Sequence, residues 1–173
     1  MALLEIITFP DPILREKCTP VESIDDEIRE LVEDMVETMY DAPGIGLAAP
    51  QIGCTERIIV IDVGEDVGSE EEPKKVPNLH KLINPEIVSR TGTTTYEEGC
   101  LSLPGVQETV ERAAEVVVEA LNPEGEKVTI EANGLLAICL QHEIDHLDGV
   151  LILDHISRLK RNMIIPKLKK RKK

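Results

Sequence analysis

A His-Glu-x-x-His motif near the C-terminal end is the part of this sequence best suited to chemistry. It comprises His142, Glu143 and His146, and it follows an almost wholly apolar stretch, residues 134–140. Because residues four apart lie on one face of an α-helix, both imidazoles can bind the same divalent cation. Glu143 is then a carboxylate placed to move protons at the metal. Since buried polar groups need partners, the motif predicts a metal centre rather than two unrelated surface histidines.

Two histidines leave a metal short of ligands, so a third protein ligand is expected. Downstream, the available groups are Asp148, Asp154 and His155, but the remaining chain is short and basic and matches neither downstream-Glu nor downstream-His metalloproteases. Upstream, Cys100 lies in a non-periodic stretch between predicted strands. Its thiolate would complete a Cys/His/His set with one position open for water, which is typical of catalytic sites. The alternative is that Cys100 is a small buried apolar residue.

Composition indicates one globular domain with an aliphatic core. The chain has 173 residues, of which 42% are hydrophobic and only 2% aromatic. No apolar run approaches the roughly 18–20 residues that span a bilayer. The first ten residues include Glu5 and no basic residue, unlike a secretory signal or transit peptide. We therefore expect a cytoplasmic protein without a membrane partner, whose four cysteines are reduced.

Charge is distributed unevenly along the chain. The net charge is −14, yet residues 157–173 contain nine lysines and arginines and no acid, whereas residues 1–156 contain 10 bases and 33 acids. A basic tail on an acidic body indicates contact with a polyanion such as RNA. It is equally consistent with a tail that neutralises its own acidic domain, or with a simply solvated end.

The periodicity of apolar residues predicts the elements that position the motif. A helix is predicted over residues 24–40, capped by Ser23 or Asp25, and the metal helix is predicted to open at Asn133–Gly134 and close at Asp148–Gly149. Residues 64–78 are predicted to be an exposed acidic loop, and residues 97–105 to interrupt the strand pattern. The predicted strands are residues 57–63, 81–89, 91–96, 109–112, 115–121 and 127–131.

The strands follow one another with few helices between them, which favours an α+β fold of antiparallel sheets packed around a central metal-binding helix. We expect residues 1–173 to form a single catalytic domain, with residues 157–173 as a basic helical tail that Pro166 limits or kinks.

Three blocks of the sequence resemble the signature motifs of the peptide deformylase family. They are Gly-Ile-Gly-Leu-Ala-Ala-Pro-Gln-Ile-Gly at residues 44–53, Glu-Gly-Cys-Leu-Ser-Leu-Pro at 98–104 and Gln-His-Glu-Ile-Asp-His-Leu-Asp-Gly at 141–149. They occur in the family's order, and the resemblance covers nearly the whole chain. It implies an enzyme that removes the formyl group from the N-terminal formyl-methionine of new polypeptides and releases formate.

The resemblance also implies roles for individual residues. Cys100, His142 and His146 would bind the metal, which is expected to be Fe(II) in the cell and Zn, Ni or Co in some purified preparations. Glu143 would be the general acid and base. Gln51 and the backbone N–H of Leu101 would stabilise the oxyanion. The ligand types alone suit Zn(II), so the expectation of iron rests on the family.

For the substrate, the resemblance implies backbone contacts from Ile45, Gly46 and Gly99 and an apolar methionine pocket. The pocket candidates are Ile45, Tyr96, Leu135, Ile138 and Cys139. Each of them is equally well explained by ordinary core packing. The sequence departs from the family at Tyr96, where an aliphatic residue is common, and near Gln107, where a basic residue is common.

The expected partners are formyl-methionyl ends of nascent chains, with a ribosome contact through the basic tail, and no DNA. We also expect Arg112 to pair with Glu98 and support the metal ligands. Two alternatives belong to other classes. One is a metalloprotease that cuts internal peptide bonds, which would not need Cys100. The other is a non-catalytic metal-containing ribosome-associated binding protein, which leaves Glu143 and Gln51 without a role.

Overall fold

A computed structural model describes residues 2–171 of the chain. Its α-helices are α1 (Asp26–Asp41), α2 (Gly134–Leu147) and α3 (Arg158–Arg171). Its strands are β1 (Gly46–Ala48), β2 (Ile58–Ile61), β3 (Glu65–Gly68), β4 (Pro73–Val76), β5 (His80–Thr91), β6 (Thr94–Cys100), β7 (Leu103–Arg112), β8 (Glu115–Leu121) and β9 (Lys127–Asn133).

The strands form one large sheet and two smaller pairs. The large sheet has the order β1-β2-β5-β8-β9, with every neighbouring pair antiparallel. Strands β6 and β7 form a separate antiparallel ribbon, and β3 and β4 form a hairpin. Helix α2 packs against β1, β2, β8 and β9. The predicted α+β class, with antiparallel sheets around the metal helix, is confirmed.

Strand β2 lies between two helical layers, which explains its unbroken apolar sequence. Ile59 and Ile61 belong to the cluster around α2, whereas Ile58 and Val60 belong to the cluster around α1. All four are fully buried. A strand that is covered on both faces needs apolar side chains at every position, not at alternate ones. The large fully buried side chains are leucine, isoleucine and methionine, so the core is aliphatic as predicted.

The first predicted helix is confirmed with a small shift at its start. Helix α1 begins at Asp26 rather than at residue 24, and the side chain of Asp25 accepts a hydrogen bond from the Ile28 N–H at 2.9 Å. This cap satisfies one of the backbone donors that a helix start leaves unpaired. The acidic side chains of the first turn lie where the helix dipole favours them.

The expectation that residues 97–105 interrupt the strand pattern holds only for the turn at residues 101–102 and for a bulge after Leu103, and it is wrong for residues 97–100. Strand β6 continues to Cys100 and β7 begins at Leu103, so the two are joined by a tight turn. Cys100 pairs with Leu103, but Gly99 pairs with Gln107. Strand β7 therefore has more residues than β6 between these two pairs, and the extra residues form a bulge. Pro104 and Gly105 look like strand breakers in the sequence, yet they lie in this bulge, where a regular ladder partner is not required.

Two further expectations need correction. Residues 64–78 are mostly exposed as predicted, but they form the β3–β4 hairpin rather than an irregular loop. Pro166 does not end the C-terminal helix, because α3 continues through it. The proline is exposed, so the carbonyl that loses its helical partner can bond to water, while Leu168 of the next turn stays buried in the core.

Candidate metal centre and cleft

Helix α2 and the end of β6 bring three metal-binding side chains together. The Nε2 atoms of His142 and His146 are 3.2 Å apart, and Cys100 Sγ lies 3.3 Å from His146 Nε2. The three ligand atoms all lie within 4.8 Å of one another. Two nitrogens bound to one tetrahedral Zn²⁺ at about 2.0–2.1 Å would themselves be about 3.3 Å apart. The spacing and the donor set therefore fit a single divalent ion.

A buried carboxylate orients the first histidine. Glu98 Oε1 lies 2.9 Å from His142 Nδ1, and this leaves His142 Nε2 directed at the centre. Arg112 holds Glu98 through Nε to Oε2 at 2.6 Å and Nη2 to Oε1 at 2.9 Å, which is the expected pairing. Burial raises the pKa of Glu98, but the hydrogen bonds from His142 and Arg112 outweigh it, so the net shift is downward. Glu98 is therefore a carboxylate at neutral pH.

The network continues from Arg112 to the surface. Arg112 Nη1 donates to Asp145 Oδ2 at 2.8 Å, and His155 Nε2 contacts the same oxygen at 2.9 Å.

Burial lowers the pKa of His146 well below its ordinary value, so its imidazole is neutral. Neutral imidazole is the form that binds metals.

The two downstream acids and the histidine that were considered as third ligands lie elsewhere. Asp148 pairs with Arg57 at 2.9 Å and Asp154 with Arg15 at 2.5 Å, while His155 contacts Asp145. Within residues 2–171, the only group of three or more ligand-type side chains placed to hold a metal is the Cys100 set. The upstream cysteine is thus the third member of the cluster.

Glu143 lies against this cluster and is enclosed. The residue is 5% exposed, and its Oε1 has no hydrogen-bond partner among the described residues. Burial raises its pKa to about 7, because an apolar environment disfavours the charged form. Gly46 of β1 passes directly over it, and a Cβ at Gly46 would collide with the carboxylate. A glycine is therefore required at this position for β1 to pack on α2.

Gln51 is held in a short 3-10 helix that follows β1 and is 1% exposed. Its Oε1 accepts a hydrogen bond from the Ala48 N–H at 2.9 Å, which fixes the amide. Its Nε2 donates to Ser102 Oγ at 3.0 Å and lies 3.6 Å from Cys100 Sγ. Ser102 in turn donates to the Ile7 carbonyl at 2.6 Å. Sequence reasoning missed Ser102, whose partners are far away along the chain.

A cleft of about 710 Å³ opens from the metal centre. The five residues expected to form an apolar pocket all line it, as do Gln51, Leu101, Gly46 and Gly99. Ile45 and Tyr96 are 46% and 44% exposed. Burial raises the pKa of the Cys139 thiol, so this side chain is neutral. Residues that sequence reasoning did not single out also line the cleft, namely Pro43, Gly44, Leu103, Gly105 and Val106.

The fold and this centre define a class: enzymes that hold one metal ion with a His-Glu-x-x-His helix and carry out hydrolysis in an adjoining cleft. Comparison with known proteins identifies the family within that class. The sequence profile described as polypeptide deformylase matches residues 3–162. The chain belongs to the polypeptide deformylase family and is an enzyme of N-terminal deformylation.

Similar proteins span the whole chain. The peptide deformylase of Neisseria meningitidis serogroup B is 53% identical over 173 residues, which is 100% of this chain and 98% of that protein. The crystal structure of a peptide deformylase from Legionella pneumophila matches with a TM-score of 0.87 at 48% identity, covering 99% and 96% of the two chains. That of peptide deformylase from Ehrlichia chaffeensis in complex with actinonin matches with a TM-score of 0.88 at 41% identity, covering 99% and 98%.

Within residues 2–171, no helix is both long and apolar enough to cross a membrane.

Proposed function

We propose that this chain removes the formyl group from the N-terminal formyl-methionine of newly made polypeptides in the cytoplasm, and that Cys100, His142 and His146 hold the required metal. One observation carries the proposal. A Cys/His/His set converges beside a buried carboxylate, whose Oε1 has no partner among residues 2–171, at the inner end of a peptide-sized cleft. We propose that residues 1–173 act as one catalytic domain.

The metal is proposed to be Fe(II) in the cell, with Zn, Ni or Co in some purified preparations. The donor set fits any of these ions, and the choice of iron rests on the family resemblance. A divalent ion at such a site lowers the pKa of a coordinated water toward about 7 and polarises a carbonyl. Proton transfer, stabilisation of the oxyanion and binding of the peptide are carried out by side chains and backbone groups of the chain.

Glu143 is proposed as the general base and acid. Its unpartnered Oε1 is enclosed near the metal ligands, so it can accept a proton from the attacking water and pass it to the leaving amine. A raised pKa suits both halves of this transfer, because the group releases the proton as readily as it takes it.

Gln51 and the Leu101 N–H are proposed to stabilise the negative charge that develops on the formyl oxygen. The Gln51 amide is already fixed by Ala48 and Ser102, so it needs no reorganisation during the reaction. Removing one such donor typically costs about 10²–10³ in rate.

The peptide backbone is proposed to lie between two strand edges. Strand β1 is the end strand of the large sheet, and β6 pairs only with β7 among the described strands. The free edges therefore offer backbone groups of Gly46 and Gly99 to an extended chain. Ile45 can offer only its N–H, because its carbonyl already accepts the Asp62 N–H at 2.9 Å. Main-chain pairing of this kind binds peptides without reading much of their sequence. The methionine side chain then enters the pocket formed by Ile45, Tyr96, Leu135, Ile138 and Cys139.

The exposed basic face of α3 is proposed to contact the ribosome. Arg158, Lys167, Lys169 and Lys170 are all exposed, whereas Leu168 is buried against the body. The helix thus has one face committed to the fold and one available to a polyanion.

The function is tested by formate release from formyl-Met-Ala-Ser with metal-loaded protein, compared with acetyl-Met-Ala-Ser and with a longer peptide that carries an internal methionine. Release of formate, with the acetyl and internal bonds left intact, supports deformylation. Internal cleavage would instead identify a general metalloprotease, and an absence of any product would contradict the proposal.

A further inference from the structure

One carboxylate of the cleft has no base to compensate its charge. Among the described side chains that line the cleft, none belongs to a lysine or arginine, and Arg112 behind the lining is committed to Glu98. Of its three carboxylates, Glu98 and Glu143 are buried and face the metal centre. Glu97 differs from both, because it is exposed and its side chain makes no hydrogen bond or ion pair with another described residue. Its charge is available to a bound peptide.

Strand geometry determines which peptide residue meets Glu97. Successive side chains of a strand point to opposite faces, so Glu97 and Gly99 share one face of the β6–β7 ribbon, and Tyr96 and Glu98 share the other. The face of Glu98 is the one directed at α2, because Glu98 contacts His142. The apolar pocket uses α2 residues and therefore lies on that face.

A peptide paired with the edge of β6 alternates in the same way. If its methionine enters the pocket on the α2 face, the next residue points to the opposite face, which it shares with Glu97. Gly99 has no side chain to occupy that space, and its ladder partner Gln107 is neutral. Side chains on neighbouring strands interact directly at about 4.5–5.5 Å and diagonally at about 7–8 Å. Of the three carboxylates that line the cleft, that of Glu97 is thus the one on the same face as the residue after methionine.

We propose that Glu97 is a specificity-determining residue, which makes the enzyme favour formyl-methionyl peptides with lysine or arginine directly after methionine and disfavour those with aspartate or glutamate there. The inference rests on the proposed function. The nearby Glu108 does not supply the same effect, because it is paired with Lys160 at 3.2 Å.

The test measures kcat/KM for three amidated peptides, formyl-Met-Lys-Ala, formyl-Met-Gln-Ala and formyl-Met-Glu-Ala, using the metal-loaded enzyme. We expect the order Lys, Gln, Glu, with about a tenfold spread between the two charged peptides at low salt, as for unit charges about 6 Å apart near water. In 0.5 M NaCl the spread should shrink to about twofold, because salt screens exposed charges.

Three variants test whether Glu97 causes the spread in kcat/KM between the charged peptides. Glu97→Gln should remove most of the spread and Glu97→Lys should reverse the order. Glu111→Gln is the matched control, because this exposed glutamate of β7 does not line the cleft, and it should retain the spread.

Equal kcat/KM values for the three peptides would overturn the proposal, and so would a full spread in Glu97→Gln. Either result would leave deformylation intact. An absence of formate from all three peptides would instead contradict the proposed function itself.

Discussion

Helices α2 and α3 have the same length of 14 residues, but opposite relations to solvent. In α2 most residues are buried, including Gln141, His142, Glu143 and His146. In α3 the lysines and arginines are mostly exposed, and Leu168 is the buried residue among those described. Polar groups in α2 must find partners within the protein, whereas those in α3 are solvated.

This difference predicts where a substitution will have a large effect on activity. Around α2 the charges are desolvated and held in place, so each of them can influence chemistry at the metal. On α3 the charges act through a screened, long-range field, which suits weak contact with a large polyanion. Substitutions should therefore have large effects around α2 and small, salt-dependent effects on α3.

The largest effect is expected from removing a metal ligand. His146→Ala should lose bound metal and with it all measurable formate release, because two remaining ligands hold an ion poorly. Metal content by elemental analysis and formate release on the same sample provide the measurement. His80→Ala is the matched control, since this histidine of β5 lies outside both the ligand set and the Glu98–Arg112–Asp145 network, and it should retain its metal. Retention of full metal content by His146→Ala would exclude it as a ligand.

An intermediate effect is expected one contact away from the metal. Glu98→Gln places an amide donor against Arg112 and weakens the orientation of His142, so metal affinity should fall by about 10–100-fold. Competition with a chelator measures this. Glu108→Gln tests the same chemical change directly across the ribbon, where the carboxylate is near solvent and faces Lys160, and metal affinity should not change. Equal affinity of the parent and Glu98→Gln would remove the supporting role.

The smallest effect on small substrates is expected from α3. Changing Arg158, Lys167, Lys169 and Lys170 to glutamine should leave formate release from short peptides intact. If these residues contact ribosomal RNA, ribosome binding should weaken and its dependence on log salt should become shallower by about 3. This variant is sharper than deletion of residues 157–173, because deletion also removes Leu168 from the core. If the salt dependence of ribosome binding did not change in this variant, the proposed role of α3 in contacting a polyanion would be wrong.

The sequence predicted those features that follow local rules. The two histidines of α2 share a face because of helical spacing. The pairing of Arg112 with Glu98 was also expected, although it joins residues 14 apart, because a metal-binding histidine needs a supporting carboxylate. The continuous β6 and β7 were not predicted, because glycine and proline in residues 97–105 indicate a break unless the bulge is known. Ser102 was missed for a different reason: its partners Ile7 and Gln51 lie 95 and 51 residues away. Contacts over such separations leave no periodic signal in the sequence.

The central claim is that Glu143 moves protons beside a metal held by Cys100, His142 and His146. Its most direct test is formate release from a formyl-Met tripeptide by parent and Glu143→Gln proteins, purified without air and matched in metal content. Glutamine keeps the shape of the side chain and removes its ability to accept a proton. We predict rapid release by the parent and a loss of about 10²–10⁴-fold in the variant at equal metal occupancy. Equal rates for the two proteins would contradict the account.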